Sequence, residues 1–122
     1  MDNANTLVLT NLFIEHGDSE AKFDRYDWQP FRQGVEICHL YSDHDSGPAA
    51  ALLRYAPGAT VPRHTHTGYE NILILSGSQC DEHREYGAGT LVISAPQSKH
   101  AITSPNGCIV LAIWQSPVEF VG

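Results

Sequence analysis

The sequence predicts an all-β protein in which short antiparallel strands pack as a sandwich or a barrel. Short segments rich in Val, Ile, Leu, Tyr and Thr are separated by glycine and proline, which occur 10 and 7 times. No long segment repeats apolar residues at helical spacing, which argues against long helices. Closing such a sheet into a barrel would also hide its edges.

The apolar segments predict the individual strands, and turn-forming sequences separate them. Gly, Pro, Asn and Asp favour chain reversal in these separators, as in Pro57-Gly58 and Thr67-Gly68. Further separators lie at 43–48, 87–89 and 104–107. The predicted strands span residues 7–15, 34–41, 49–55, 60–66, 70–76, 78–85, 89–94, 99–103 and 108–114.

The length and the aromatic residues add two expectations about organisation. A chain of 122 residues has the usual size of one domain, so we expect residues 1–122 to form a single domain. The aromatic-rich segment 23–31 precedes a strand. We expect it to seal one end of the barrel through Trp28 and Phe31.

The charge balance excludes some classes of partner. The formal net charge is −7 and Lys and Arg form no cluster, whereas nucleic-acid binding depends on cationic neutralisation of phosphates. No apolar run reaches the roughly 20 residues that cross a bilayer, and the N-terminus lacks the features of a signal peptide. We therefore expect a cytoplasmic protein that binds neither nucleic acid nor membrane.

The three cysteines are predicted to be thiols that pack in the interior. Cys38, Cys80 and Cys108 are an odd number without close spacing. Cysteines in a reducing compartment normally stay reduced, and zinc–thiolate sites usually show closer clustering.

Three histidines and a glutamate form the strongest candidate for chemistry. His64 and His66 are two residues apart, so on a strand both imidazoles lie on one face. Glu70 follows the break at Thr67-Gly68 and can face the same space from the returning strand. His100 can approach from a neighbouring strand. Such a set suits Fe(II), Zn, Mn, Ni or Co, although a His-x-His pair alone is more often a solvated face.

The spacing of these residues resembles the two sequence motifs of the cupin superfamily. Residues 58–77 match the first motif at every defined position, from Gly58 through the His64-x-His66 pair and Glu70 to Gly77. Residues 89–104 match the second motif in part. The spacing from Gly89 to His100 is kept, but Ala95 stands where proline is usual and Gln97 where glycine is usual. The resemblance implies a jelly-roll β-barrel of two antiparallel sheets.

A narrower resemblance extends over most of the chain. The stretches ALLRYAPGATVPRHTH, DEHREYGAGT and SKHAITSPNGC are similar to the cupin of ChrR-type anti-sigma factors and to acetylacetone-dioxygenase-like proteins. The resemblance implies one divalent metal, zinc in the anti-sigma factors and iron in the dioxygenases. It also implies a homodimer. The metal ligands carried over are His64, His66, Glu70 and His100.

The sigma-factor-binding role of ChrR-type regulators is not carried over. Those proteins have a separate N-terminal zinc-binding helical domain, and no matching segment or Cys/His cluster is seen here.

Three functions remain open. The first is a cupin whose open metal position admits a small molecule or oxidant, and the second is an Fe(II)-dependent dioxygenase of β-diketone-like substrates. The third is a sensor that binds a protein partner. A structural metal is the fourth alternative, and no catalytic residue is assigned.

The remaining histidines are expected to lie outside the metal group. His83 fits a solvated loop, and His16 and His44 fit surface turns. His39 alternates with apolar residues on one strand, so we expect a core histidine or, as an alternative, a cavity-lining one. Tyr69 is expected to pack on the face opposite Glu70.

Four further residues are candidates for contacts with a substrate or with the metal ligands. They are Arg54, Tyr55, Gln97 and Trp114.

Overall fold

The computed structural model describes residues 5–15, 17–42 and 47–120. These residues contain one short 3₁₀ helix at Glu20–Arg25 and ten strands. The strands are β1 (Gln29–Arg32), β2 (Val35–Ser42), β3 (Ala49–Tyr55), β4 (Ala59–His66), β5 (Glu70–Cys80), β6 (Glu85–Gly87), β7 (Leu91–Ser94), β8 (Lys99–Ser104), β9 (Cys108–Trp114) and β10 (Val118–Phe120). No helix among the described residues is long and apolar enough to cross a membrane.

The strands form a curled antiparallel sheet that folds into a jelly-roll barrel. Its order is β1-β2-β3-β9-β5-β8-β4-β10, and β6 and β7 both pair with β5 outside this path. The long strand β5 connects the two layers, because its first part pairs with β7 and β9 and its last residues pair with β6 and β8. The predicted all-β architecture of short antiparallel strands is confirmed.

The main hydrophobic core lies between the two layers. Alternate residues of each strand point inwards, as the period of two in a strand requires. The buried apolar residues of this core are Val35, Ile37, Ala51, Leu53, Tyr55, Ala59, Val61, Ile72, Ile74, Ile102, Cys108, Val110 and Ala112.

A bulge in β4 reverses the alternation where the histidines begin. The register of β4 against β8 shifts between Val61 and His64, and Pro62 and Arg63 are both exposed. Regular alternation from the buried Val61 would point Arg63 inwards and both imidazoles outwards. The extra residue turns His64 and His66 into the barrel instead.

A second cluster covers the outer face of the β3–β9–β5 layer. Phe23 of the 3₁₀ helix is fully buried there against Leu52, Leu75 and Ile109. Trp28 packs on the same cluster, so its predicted place at the barrel end is wrong, whereas Phe31 does lie against the barrel cavity. A sheet with two apolar faces needs a cover on each, and the N-terminal segment provides the outer one.

The predicted strand at residues 7–15 is wrong. Leu9, Leu12 and Ile14 pack against the outer cluster, but their backbone pairs with no strand. Arg25 and Lys22 hold this segment by donating hydrogen bonds to the carbonyls of Thr10 and Phe13. The apolar residues alternate here because the segment packs across one face of the sheet, not because it is a strand of the sheet.

The predicted break of β5 at Gly77 and the predicted strand 78–85 are also wrong. β5 continues through Gly77 to Cys80, and a turn closed by Asp81 precedes the short β6. Gly77 has φ +74°, and a Cβ there would lie 2.2 Å from the carbonyl oxygen of Gly107. Glycine therefore permits the strand to pass from one layer to the other rather than ending it.

Two further residues differ from their predicted environments. His39 is exposed rather than in the core or the cavity, and it lies in the part of β2 beyond Ile37, where the pairing with β1 ends. Tyr69 is half exposed rather than packed, since it lies in the turn before β5. His83 is exposed, as expected, while His16 and His44 lie outside the described residues.

The cysteines are free thiols in the described structure. Cys38 and Cys108 are buried, and Cys80 is partly exposed, so its predicted burial is only partial. Burial raises the pKa of Cys108 to about 11, which keeps this thiol protonated at neutral pH.

The turn before β8 explains the unusual residue of the second motif. Gln97 has φ +76°, which is the left-handed region that glycine adopts most easily. Its backbone N–H donates to the carbonyl of His66 at 2.7 Å, and the N–H of His66 donates to the carbonyl of Ser98 at 2.9 Å. The turn therefore keeps its geometry and its contact with β4 although glycine is replaced.

Phe23→Ala should lower the free energy of unfolding by about 3 kcal/mol, because the removed ring leaves a cavity in the outer cluster. Urea denaturation followed by tryptophan fluorescence measures this change. Phe13→Ala is the matched control, since Phe13 is 45% exposed and its truncation should cost under about 1 kcal/mol. Equal losses in both variants would contradict the assigned packing.

Gln97→Gly should raise the free energy of unfolding by about 0.5 kcal/mol. Relief of the left-handed strain, worth roughly 1–2 kcal/mol, exceeds the entropy cost of glycine. Gln33→Gly is the control, because Gln33 is not among the described residues with positive φ and should lose about 0.5–1 kcal/mol. Chemical denaturation of both variants measures the difference, and a loss in Gln97→Gly would count against the strain.

Candidate metal centre

The four candidate ligands lie together inside the barrel. His64 and His66 belong to β4, Glu70 begins β5 and His100 belongs to β8. His64 is paired directly with His100 in the β4–β8 register. Their exposed fractions are 4%, 1%, 5% and 7%, so the structure brings all four polar side chains into the interior.

The donor atoms are close enough for a single ion. One nitrogen or oxygen from each of the four side chains lies within 4.8 Å of the others. Glu70 Oε1 is 3.0 Å from His66 Nε2 and 3.5 Å from His100 Nε2. The imidazole rings of His64, His66 and His100 meet edge to face, with centroids 4.5–5.1 Å apart.

Hydrogen bonds on the outer side of two rings set their tautomers. His64 Nδ1 lies 2.8 Å from the carbonyl oxygen of Pro62, which can only accept, so Nδ1 carries the proton. His66 Nδ1 lies 2.8 Å from Ser98 Oγ, whose own proton is donated to the Ala95 carbonyl. In its neutral form, each ring therefore directs the lone pair of Nε2 towards the group's centre.

Trp114 holds one oxygen of the buried carboxylate. Its indole N–H donates to Glu70 Oε2 at 2.7 Å, and the two residues are register partners on β9 and β5. Burial raises the pKa of Glu70, but the neighbouring imidazoles of His66 and His100 and the indole outweigh burial and hold the pKa below its ordinary value. Glu70 is thus a carboxylate at neutral pH, with Oε1 free for another partner.

His100 is neutral at physiological pH. Burial lowers its pKa to about 4, the Glu70 carboxylate opposes this shift, and the imidazoles of His64 and His66 add to it. A neutral imidazole is the form that coordinates metals.

The donor set fits a divalent metal ion. His66 Nε2 and Glu70 Oε1 are buried and have no hydrogen-bond partner among the described residues. Buried polar atoms are rarely left in this state, because each costs about 1–3 kcal/mol. An ion that accepts both lone pairs would remove that cost, and imidazole with carboxylate is a common donor set for zinc and non-haem iron.

A cavity of about 60 Å³ adjoins this group and has room for about four water-sized groups. Val118 and Phe120 of β10 cover it beside β4, where Phe120 is paired with His64. The guanidinium of Arg32 lies 5.0 Å from the Phe120 ring. The lining residues are Phe31, Leu53, Tyr55, Val61, His64, Glu70, Ile72, Gln79, His100, Ile102, Trp114, Val118 and Phe120.

Of the four residues that the sequence suggested for contacts with a substrate or with the metal ligands, two line the cavity and two do not. Tyr55 and Trp114 line the cavity. Arg54 points to the outer face, where it pairs with Asp24 and Glu36 and stacks over Trp28. Gln97 lies in the exposed turn.

Sequence reasoning did not identify Gln79, Ser98 or the covering strand β10. The apolar Val118 and Phe120 were the only sequence signal for that strand, and the last of the predicted strands ended before them.

Comparison with known proteins establishes the family. The model of the ChrR cupin-like domain matches residues 16–119. The anti-sigma-E factor ChrR of Cereibacter sphaeroides is 38% identical over 96 residues, which are 76% of this chain and 44% of that protein. The solved complex of Rhodobacter sphaeroides SigE with the anti-sigma ChrR gives a TM-score of 0.68 at 30% identity, covering 75% of this chain and 51% of that one. The chain thus spans about half the length of the ChrR proteins it matches.

A more distant solved structure shares the fold. An acetylacetone dioxygenase from Acinetobacter johnsonii gives a TM-score of 0.73 at 15% identity, with 100% of this chain and 85% of that chain covered. Together with the buried His₃Glu group, the family match over most of the sequence identifies this chain as a member of the ChrR cupin-like domain family.

Proposed function

We propose that this protein is a metal-binding cupin that holds one divalent ion through His64, His66, Glu70 and His100 and admits a small molecule or oxidant to it. One observation carries the proposal: two buried atoms of this group, His66 Nε2 and Glu70 Oε1, face each other without a hydrogen-bond partner. The adjoining cavity supports access of a second ligand.

The surrounding residues prepare the group for an ion. Pro62 and Ser98 keep the protons of His64 and His66 on Nδ1, so each Nε2 is free. Trp114 occupies Glu70 Oε2, which leaves a single carboxylate oxygen for the ion. Val118 and Phe120 exclude bulk water from one side. A divalent ion bound here would polarise an oxygen of the second ligand as a Lewis acid.

Zinc or iron is the proposed ion, and manganese, nickel and cobalt remain alternatives. The donor set of imidazoles and one carboxylate suits each of these ions, so selectivity depends on metal supply as well as on geometry. Three further expectations stay predictions: residues 1–122 form one domain, the protein is cytoplasmic, and it forms a homodimer.

Protein purified without added metal should contain about one equivalent of a divalent ion, and a chelator should lower its melting temperature, since binding to the folded state stabilises it. His100→Ala should bind the ion more weakly and lower its content after purification, because one of the four candidate ligands is removed. Elemental analysis and thermal denaturation measure both effects. His83→Ala is the matched control, because this histidine is exposed and does not belong to the cluster of four. Metal-free protein that ignores the chelator would contradict the proposal.

A substitution of Ser98 tests whether this residue positions the His66 ring. Ser98→Ala should weaken zinc affinity by about tenfold, because the His66 ring loses the partner that fixes its tautomer. Competition with a chromophoric zinc chelator measures the affinity. Ser42→Ala, at the exposed end of β2, is the control and should leave zinc affinity unchanged. Equal affinities in wild type and Ser98→Ala would show that the tautomer is set without Ser98.

A second candidate function is a metal-dependent sensor that binds a protein partner. It is supported by the 38% identity to an anti-sigma factor, whose relative is solved in complex with SigE. The dioxygenase alternative rests on a shared fold alone. Oxygen uptake by the iron-loaded protein with β-diketones, abolished in His64→Ala, would favour the enzyme. Absence of uptake, with metal-dependent binding of a purified sigma factor of the SigE type, would favour the sensor.

A further inference from the structure

We propose that Gln79 and Tyr55 form a polar subsite in the cavity that binds an uncharged oxygen of a short monoanionic ligand. The anionic end of this ligand would lie at the His₃Glu group. The part of the inference that concerns the anion rests on the proposed function, whereas the part that concerns the polar subsite does not.

Gln79 and Tyr55 are the polar exception in an otherwise apolar part of the cavity wall. Their exposed fractions are 3% and 6%, and both side chains line the cavity. Apart from the metal group and Trp114, every other lining residue is hydrophobic. Burying two hydrogen-bonding side chains in such a wall costs free energy unless they have partners.

The strand register separates this pair from the metal group. At one end of β9, Trp114 is paired with Glu70, and at the other end Cys108 is paired with Tyr55 and Gly77. Gln79 follows Gly77 by two residues, so Gln79 and Tyr55 lie towards the same end of the barrel. Tyr55, Gln79, Glu70 and His100 all line the same cavity, so a short ligand in it can contact both ends.

The chemistry of the pair selects an uncharged oxygen. Burial raises the pKa of Tyr55, so its hydroxyl is a neutral donor at physiological pH. The Gln79 amide can both donate and accept. No Lys or Arg lines the cavity among the described residues, so nothing at this end would neutralise a second carboxylate. A hydroxyl or carbonyl oxygen fits this environment.

The charge at the other end selects the anion. A divalent ion and the Glu70 carboxylate would leave one net positive charge, because the other three candidate ligands are imidazoles, which coordinate metals in the neutral form. A monoanion would cancel that charge in a site of low dielectric, where an uncompensated charge is costly. Short ω-hydroxy or ω-oxo monocarboxylates therefore describe the ligand class.

Three matched pairs of carboxylates test the subsite on zinc-loaded protein by isothermal titration calorimetry. Each pair replaces a terminal methyl by a hydroxyl: butanoate with 3-hydroxypropanoate, pentanoate with 4-hydroxybutanoate, and hexanoate with 5-hydroxypentanoate. At the chain length that spans the cavity, the hydroxy acid should bind about tenfold more tightly than its partner, because only its terminal oxygen can form hydrogen bonds with Gln79 and Tyr55.

Variants locate the origin of that preference. Gln79→Met and Tyr55→Phe should each reduce the preference at least threefold while zinc affinity stays unchanged. Gln33→Met and Tyr41→Phe change exposed residues of the same types and should keep it. Tighter binding of the methyl-terminated acid at all three lengths, or a preference that survives in both cavity variants, would overturn the subsite.

The metal content of the same samples separates the two proposals. Protein with zinc but without the preference contradicts the subsite and leaves the metal proposal intact. If the protein holds no zinc, the metal proposal fails and 1-propanol serves as a neutral probe. It should then shift the Gln79 side-chain amide signals in wild-type NMR spectra and not in Tyr55→Phe. Unchanged wild-type signals would contradict the subsite in that case as well.

Discussion

The bulge in β4 is the constraint on which the candidate site depends. It lies between Val61 and His64 and converts a strand that would bury Arg63 into one that buries two imidazoles. Pro62 suits this position, because it has no N–H that a ladder would require. Its carbonyl also accepts from His64, so the residue that interrupts the ladder helps to orient the first candidate ligand.

Burial of three imidazoles and a carboxylate carries a free-energy cost that the protein only partly offsets. Pro62, Ser98 and Trp114 satisfy the outward atoms of His64, His66 and Glu70. The inward atoms are not satisfied in the same way, and His66 Nε2 and Glu70 Oε1 have no partner among the described residues. This difference between the outward and the inward atoms is the physical reason to expect an ion. If these residues served only stability, their inward atoms would have hydrogen-bond partners or apolar residues would stand in their place.

Much of the fold could be predicted because the spacing of turns and apolar runs is local information. The strands at Ala49–Tyr55 and Cys108–Trp114 have the predicted bounds, and the spacing of the cupin motifs identified the clustered residues. Residues 7–15 were mistaken for a strand, because an extended segment that covers a sheet shows the same alternation as a strand within it. Gly77 was mistaken for a break, since only the close approach of Gly107 explains it.

The rest of the site could not be predicted because it depends on contacts between distant residues. Gln79 lines the cavity only because β5 has a register shift between Ile74 and Ser76 and then crosses to the second layer. Ser98 reaches His66 through a turn in which Gln97 adopts a glycine-like φ. Bulges and left-handed residues are irregularities that a regular pattern does not encode, and they concentrate around functional sites. In this barrel the irregular positions are therefore the ones that bring the candidate metal ligands and Gln79 to one cavity.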